Sequence, residues 1–222
     1  IGVKSHNPQV GDIMHFILFL FLSMFSAFAA NPNTAHPHTG KATKFTNPPK
    51  AELTAAEKQT LSIGKAVMKQ IKKESGGRGI AIFDVDATPE VVWSVITSFS
   101  SYPKWIDELA KSEKYDTKGE QIYVDFVIST WGVNVQYYVN HTYRPQDGYM
   151  TWTLDYTRES DLDDSTGYWL VYPSPLDPTK TRVEYTVDLR VSGWVPGFIQ
   201  TAMAETGVEN ATKWVKREAE KK

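Results

Sequence analysis

The sequence predicts an α+β domain: short helices first, then a run of antiparallel strands, then one long C-terminal helix. Three observations predict it. Apolar residues recur at helical spacing up to about residue 99, alternate with a period of two between about 111 and 192, and return to helical spacing beyond about 195. The 222 residues suit one sizeable core. Apolar residues make up 41% and charged ones 23%, with seven Trp, eleven Tyr and ten Phe, a globular composition weighted toward aromatics. A net charge of −2 argues against a broad nucleic-acid surface. The chain has no cysteine, which removes disulfides, thiolate metal sites and cysteine nucleophiles.

The segment from Met14 to Ala30, MHFILFLFLSMFSAFAA, is an apolar run ending in Ala27-Phe28-Ala29, the small-x-small pattern of a signal-peptide cleavage site. It falls short of the roughly 20 residues of a membrane span. We expect export, with cleavage after Ala29 or Ala30 and Met14 as the start, residues 1–13 lying upstream of it. Residues 30–52 are rich in Asn, Pro, Thr and Gly, with Phe45 the one large apolar side chain, and read as a flexible linker before a domain of 53–222. His36 and His38 flank a proline there, and two ligands fall short of the three or four that a metal site needs.

Thr54-Ala-Ala-Glu57 is a capping box, and Leu61, Gly64, Met68 and Ile71 predict a helix stopped by Ser75-Gly-Gly-Arg-Gly79. GIAIFDVD, residues 79–86, predicts a strand. Thr88-Pro89-Glu90 opens a second helix whose buried stripe is Val92, Val95, Ile96 and Phe99 and which ends at Tyr102-Pro103. The strands follow. Ile122, Val124, Phe126 and Ile128 alternate with Tyr123, Asp125 and Val127, and Val133, Val135, Tyr137, Val139, His141 and Tyr143 with mostly polar residues; Met150, Trp152, Leu154 and Tyr156 repeat the pattern, as do Val183, Tyr185, Val187, Leu189 and Val191. Gln146-Asp147-Gly148, Asp163-Asp164-Ser165 and residues 173–180 supply the turns. For residues 166–172 the phase is open, since Tyr168, Leu170 and Tyr172 compete with Trp169 and Val171 for the buried face. A helix of about 25 residues then spans roughly 38 Å. Its stripe at 100° steps holds Ile199, Ala202, Met203, Thr206, Asn210 and Trp214. Thr206 and Asn210 interrupt that apolar stripe. Left unpaired in a dry core they would cost about 1–3 kcal/mol each; over a cavity they would be handles for a ligand or water.

The segments DATPEVVWSVITSFSSYPKW (86–105) and VSGWVPGFIQTAMAETGVENATKWV (191–215), in this order of elements, resemble the START-like superfamily. That superfamily includes lipid-transfer START domains, polyketide cyclase and dehydrase relatives, and coenzyme Q-binding proteins. The resemblance, over about residues 53–220, implies the helix-grip fold, a curved antiparallel sheet wrapped around a long C-terminal helix with an apolar cavity between them. It implies a small hydrophobic ligand such as a lipid, quinone or sterol, without a cofactor, and Tyr102 and Trp105 at the pocket mouth. Joined to the strand phases, it gives Trp105, Phe126, Tyr137, His141, Trp152, Tyr156, Tyr185, Met203, Thr206 and Asn210 as expected ligand contacts.

Catalytic signals are sparse. His141 is the one histidine inside the expected domain, either general acid/base equipment beside phenols or a satisfied structural histidine, and no Gly-x-Ser-x-Gly elbow accompanies it. Asp161, Asp163 and Asp164 lack EF-hand spacing and read as a solvated turn. The C-terminal KWVKREAEKK either touches anionic lipid in a transient membrane contact or forms a wet helix end. Asn140-His-Thr142 and Asn210-Ala-Thr212 match the glycosylation pattern. Three readings follow: an exported, non-enzymatic carrier or sensor of a small hydrophobic molecule; a cyclase/aromatase-like enzyme using His141 or a tyrosine; and a groove that receives a protein segment.

Overall fold

The chain runs through α1 (Ala55–Ser62), β1 (Val67–Lys73), β2 (Gly76–Val85), α2 (Pro89–Ile96), a 3-10 turn (Phe99–Lys104), β3 (Leu109–Lys118), β4 (Gln121–Thr130) and β5 (Val133–Arg144). After a short 3-10 turn at Pro145–Asp147 come β6 (Tyr149–Leu154), β7 (Asp164–Pro173), β8 (Thr181–Arg190) and a helix over 212–219, here α3. This computed structural model describes residues 42–73, 76–130, 132–190 and 212–222. The eight strands make one antiparallel sheet in the order β1-β2-β8-β7-β6-β5-β4-β3, a curled open sheet of the helix-grip kind that the sequence predicts. Of the expected long helix only α3 lies among the described residues. The expected cavity-facing Met203, Thr206 and Asn210 fall outside them, as do the export segment and His36 and His38.

Local chemistry explains where elements start and stop. At α1 the Thr54 hydroxyl accepts from the Glu57 amide while the Glu57 carboxylate accepts from the Thr54 amide at 2.8 Å, the expected capping box. The predicted continuation of this helix to Ile71 does not occur. Gly64, at φ +77°, turns the chain after Ser62, and Val67 onward pairs with β2, Val67 opposite Ile82. Met68 and Ile71, each 50% exposed, sit on an edge strand, so their helical spacing marked no buried face. The glycines expected to stop the helix lie instead inside β2, whose start is three residues earlier than predicted. At α2, Thr88 caps and Pro89 occupies the first turn, and Val92, Val95, Ile96 and Phe99 are buried as expected. That helix ends at Ile96, ahead of Tyr102-Pro103, which belong to the separate 3-10 turn.

The sheet is covered on both faces. Its inner face carries the main core under α2, the 3-10 turn and α3, with Phe83, Val124, Phe126, Met150, Trp152, Trp169 and Trp214 in one cluster. The open phase of β7 resolves into burial on both faces. Trp169 and Val171 join the inner cluster, while Tyr168 and Leu170 lie outside under Phe45. The outer face is where charge is buried. The Arg182 guanidinium, 2% exposed, grips Asp84, with Nη2 3.0 Å from Oδ2, and the Ser174 hydroxyl donates to the same oxygen at 3.0 Å.

Residues 42–52, read from composition as part of a linker, are strapped across this outer face. The Ala42 amide donates to Asp164 at 3.0 Å and the Ala51 amide to Glu184 at 2.9 Å. Phe45 meets Tyr168 edge-on at 4.8 Å, and the Lys44 and Lys50 ammonium groups lie over the Tyr156 and Tyr172 rings. Composition averages over the segment, whereas this arm is held by two backbone amides and a few placed side chains.

The C-terminal end of α3 is tied to β2 and its exit. Lys216 donates to the Asp84 carbonyl at 3.2 Å, and the Asp86 amide donates to Glu220 at 3.0 Å. The cations of this terminus serve such internal bonds, Arg217 and Lys221 both holding Glu218. Among the described residues no helix is long and apolar enough to cross a membrane.

Removing one partner of the Arg182–Asp84 pair leaves an uncompensated buried charge, so Asp84→Ala should lower unfolding free energy by about 3–5 kcal/mol. The double variant Asp84→Ala/Arg182→Met should regain most of that loss in urea unfolding.

Candidate functional site

The inner face is organised by a single row across the sheet. Register places Ile122 opposite His141, His141 opposite Trp152, Trp152 opposite Gly167, and Gly167 opposite Val187. Strand alternation sends all these side chains inward. The row works because Gly167 has no side chain. A Cβ there would overlap the six-membered ring of Trp152 and the Thr186 carbonyl. Trp152 therefore lies across the glycine, donates from its indole nitrogen to the Ser165 hydroxyl at 3.3 Å, and stacks on Tyr185 with centroids 5.7 Å apart.

From Trp152 the rings form a closed circuit. Tyr185 meets Trp169 at 4.4 Å, Trp169 meets Trp214 of α3 at 6.2 Å, and Trp214 meets Tyr102 at 4.6 Å. Tyr102 meets Phe99 at 5.5 Å, Phe99 meets His141 at 4.9 Å, and His141 returns to Trp152 at 6.2 Å. Phe126, stacked on Tyr137 at 5.4 Å, adjoins the circuit at Phe99 and His141. Each contact lies in the range where aromatic pairs attract beyond their burial.

Few polar atoms share this face. The Tyr102 hydroxyl donates to the Ile96 carbonyl. His141 is 5% exposed, and its Nδ1 is 3.2 Å from the Ile122 carbonyl oxygen. Burial among rings pushes its pKa down to about 4, only partly offset by that carbonyl, so the imidazole is neutral at pH 7. The phenols of Tyr137 and Tyr185 have no hydrogen-bond partner among the described residues. Burial raises the pKa of both, with Tyr185 adding to the effect on Tyr137 and on Tyr102. Both side chains keep part of their surface accessible.

Of the expected contact residues, Phe126, Tyr137, His141, Trp152 and Tyr185 share the inner face, and Trp105 stacks on Trp214 at 5.5 Å at its rim. Tyr156 lies beyond the end of β6 and packs against the main core cluster, while its hydroxyl donates at 2.8 Å to Asp164, which also anchors the arm. Tyr102, expected at a mouth, is buried in the core. Phe99, Trp169 and Trp214 were not among the expected contacts and belong to the circuit. Trp214 carried the one usable signal, its place on the stripe of the last helix. A groove of about 520 Å³ lies outside the Trp105–Trp214 pair, bordered by Lys104, Asp107, Lys213, Arg217, Glu218 and Lys221. It is mainly polar and meets the ring circuit only at Trp214.

The aspartates around 161–164 have separate partners. Asp161 accepts from the Gln136 amide at 2.8 Å, while Asp164 holds Ala42 and Tyr156. Among the described residues no group of three or more His, Asp or Glu is placed to hold a metal ion.

Residues 85–212 match the family described as polyketide cyclase/dehydrase and lipid transport. Solved structures with the same fold include the Zhui aromatase/cyclase from Streptomyces sp. R1128, 18% identical, covering 70% of this chain and 95% of that one at a TM-score of 0.53. A START superfamily protein from Mycobacterium smegmatis is 17% identical over 65% of this chain and 97% of its own, at 0.53. A STAR-related lipid transfer protein from Xanthomonas axonopodis is 17% identical over 70% and 92%, also at 0.53. At these identities the likeness establishes the fold. Comparison with curated protein sequences gives no match.

Two measurements probe this face. Gly167→Ala should displace Trp152, costing about 1–3 kcal/mol and altering near-UV circular dichroism. His141 is depressed from an ordinary 6.5, so it contributes full stability above that value and loses it as pH falls toward 4. The loss should reach about 3 kcal/mol. His141→Phe should flatten the pH 4–6.5 slope in urea unfolding.

Proposed function

We propose that this chain, which belongs to the polyketide cyclase/dehydrase and lipid transport family, is a non-enzymatic carrier or sensor holding a small hydrophobic molecule against the ring-lined inner face. The observation that carries this reading is the pair of phenols, Tyr137 and Tyr185, left without partners among otherwise apolar rings. In a filled, dry core each would cost about 1–3 kcal/mol. Beside a ligand or water each has a use. Binding energy would come mainly from apolar burial, at about 25 cal/mol per Å², with these hydroxyls and His141 orienting the guest.

The enzymatic alternative asks His141 or a tyrosine to move a proton. A histidine at about 4 is a weak base at neutral pH, and its Nδ1 partner is the Ile122 carbonyl rather than a carboxylate. Both features favour binding over catalysis. Export completes the proposal and rests on the apolar segment before Ala30; N-terminal sequencing of secreted protein should find a start after Ala29 or Ala30.

Titration with the neutral dye N-phenyl-1-naphthylamine should give saturable 1:1 binding with energy transfer from tryptophan. Trp152→Ala should weaken it about tenfold or more, which is about 1.4 kcal/mol. Absence of saturable binding by the wild-type chain would overturn the carrier reading.

A further inference from the structure

We infer that His141 makes the inner face selective for ligands bearing a hydroxyl group, by accepting that group's hydrogen at Nε2; the inference rests on the apolar-ligand reading above. The Nδ1 atom is 3.2 Å from the Ile122 carbonyl oxygen, and a carbonyl can only accept. Nδ1 must therefore carry the hydrogen. In a neutral imidazole this leaves Nε2 with a lone pair and no proton, an acceptor alone.

The ring's neighbours keep it in that state. Phe99 at 4.9 Å, Trp152 at 6.2 Å and Phe126 at 6.2 Å surround it, offering no carboxylate to stabilise an imidazolium. Nε2 has no hydrogen-bond partner among the described residues. Tyr137, on the same face of β5, makes no hydrogen bond to it.

The inner face thus presents two kinds of polar atom. The phenols can donate to any ligand oxygen, whether ketone, ether or hydroxyl. Nε2 can be satisfied only by a donor. A ketone or ether bound there leaves a buried acceptor unpaired, and a site with such an atom discriminates strongly against ligands lacking the matching group. The chemical class that fits is a neutral, flat or ring-bearing molecule with an alcohol or phenol group.

Three probes of one shape test this: 2-naphthol, 2-methoxynaphthalene and naphthalene, each titrated at pH 7 by tryptophan quenching. Wild-type protein should bind 2-naphthol at least about tenfold more tightly than its methyl ether. His141→Phe should abolish that preference while still binding the ether, whereas Tyr137→Phe and Tyr185→Phe should keep it. Equal affinity for naphthol and ether in the wild-type chain, or a preference that survives His141→Phe, would overturn the inference. Binding of none of the three would overturn the apolar-ligand reading beneath it. Nitrogen-15 NMR of the wild-type imidazole gives a readout independent of any variant. Nε2 should be unprotonated in the free protein and should shift with 2-naphthol but not with its ether; a proton on Nε2 in the free protein would overturn the inference.

Discussion

The cross-strand register at Gly167 holds the inner face together. Four strands must align so that His141, Trp152, Gly167 and Val187 fall in one row, because only at a glycine can the Trp152 indole lie flat on the sheet. A slip of one residue would send every inward ring to the opposite face. The stacking of Trp152 on Tyr185, the approach of Trp169, and through it the contact with Trp214 of α3 all follow from that seat. The last helix is thereby joined to the sheet by rings at Trp214 and by Lys216 and Glu220 towards its end.

Charge is sorted between the faces. The outer face buries Asp84, Asp164, Arg182, Glu184 and Asp188 and meets their demand with guanidinium groups, hydroxyls and the amides of the arm. The inner face buries aromatic surface and a few neutral polar atoms. This division suits a domain that stays folded whether or not its concave side is occupied. The buried ion pairs lie on the face away from the ring circuit, and what remains among the rings are hydroxyls and an imidazole that tolerate a change of partner.

Much of this was legible in the chain. Alternation identified the inward residues of β4, β5, β6 and β8, including Phe126, Tyr137, His141, Trp152 and Tyr185, because a half-buried strand has to separate its faces. The capping box at Thr54 and the proline at α2 marked helix starts through chemistry local to a few residues. The failures were of two kinds. At Met68 and Ile71, a helical spacing arose without a helix, since Gly64 with its positive φ had already ended it. At Trp169 and the arm, the deciding partner is distant in sequence. Trp169 follows the sheet register, and the arm follows Asp164 and Glu184. No periodicity contains that information.

The arm across the outer face has a corollary for sequence variation. Asp164 and Glu184 hold the backbone amides of Ala42 and Ala51, groups that nearly every amino acid carries. These two hydrogen bonds would survive a change of letter, proline excepted, whereas the acids beneath are needed as acceptors; Ala42, 5% exposed, is further constrained to stay small. Related chains that keep such a strap would therefore advertise it through a pair of interior acids on the seventh and eighth strands, with a small residue and an aromatic ring in the strap itself.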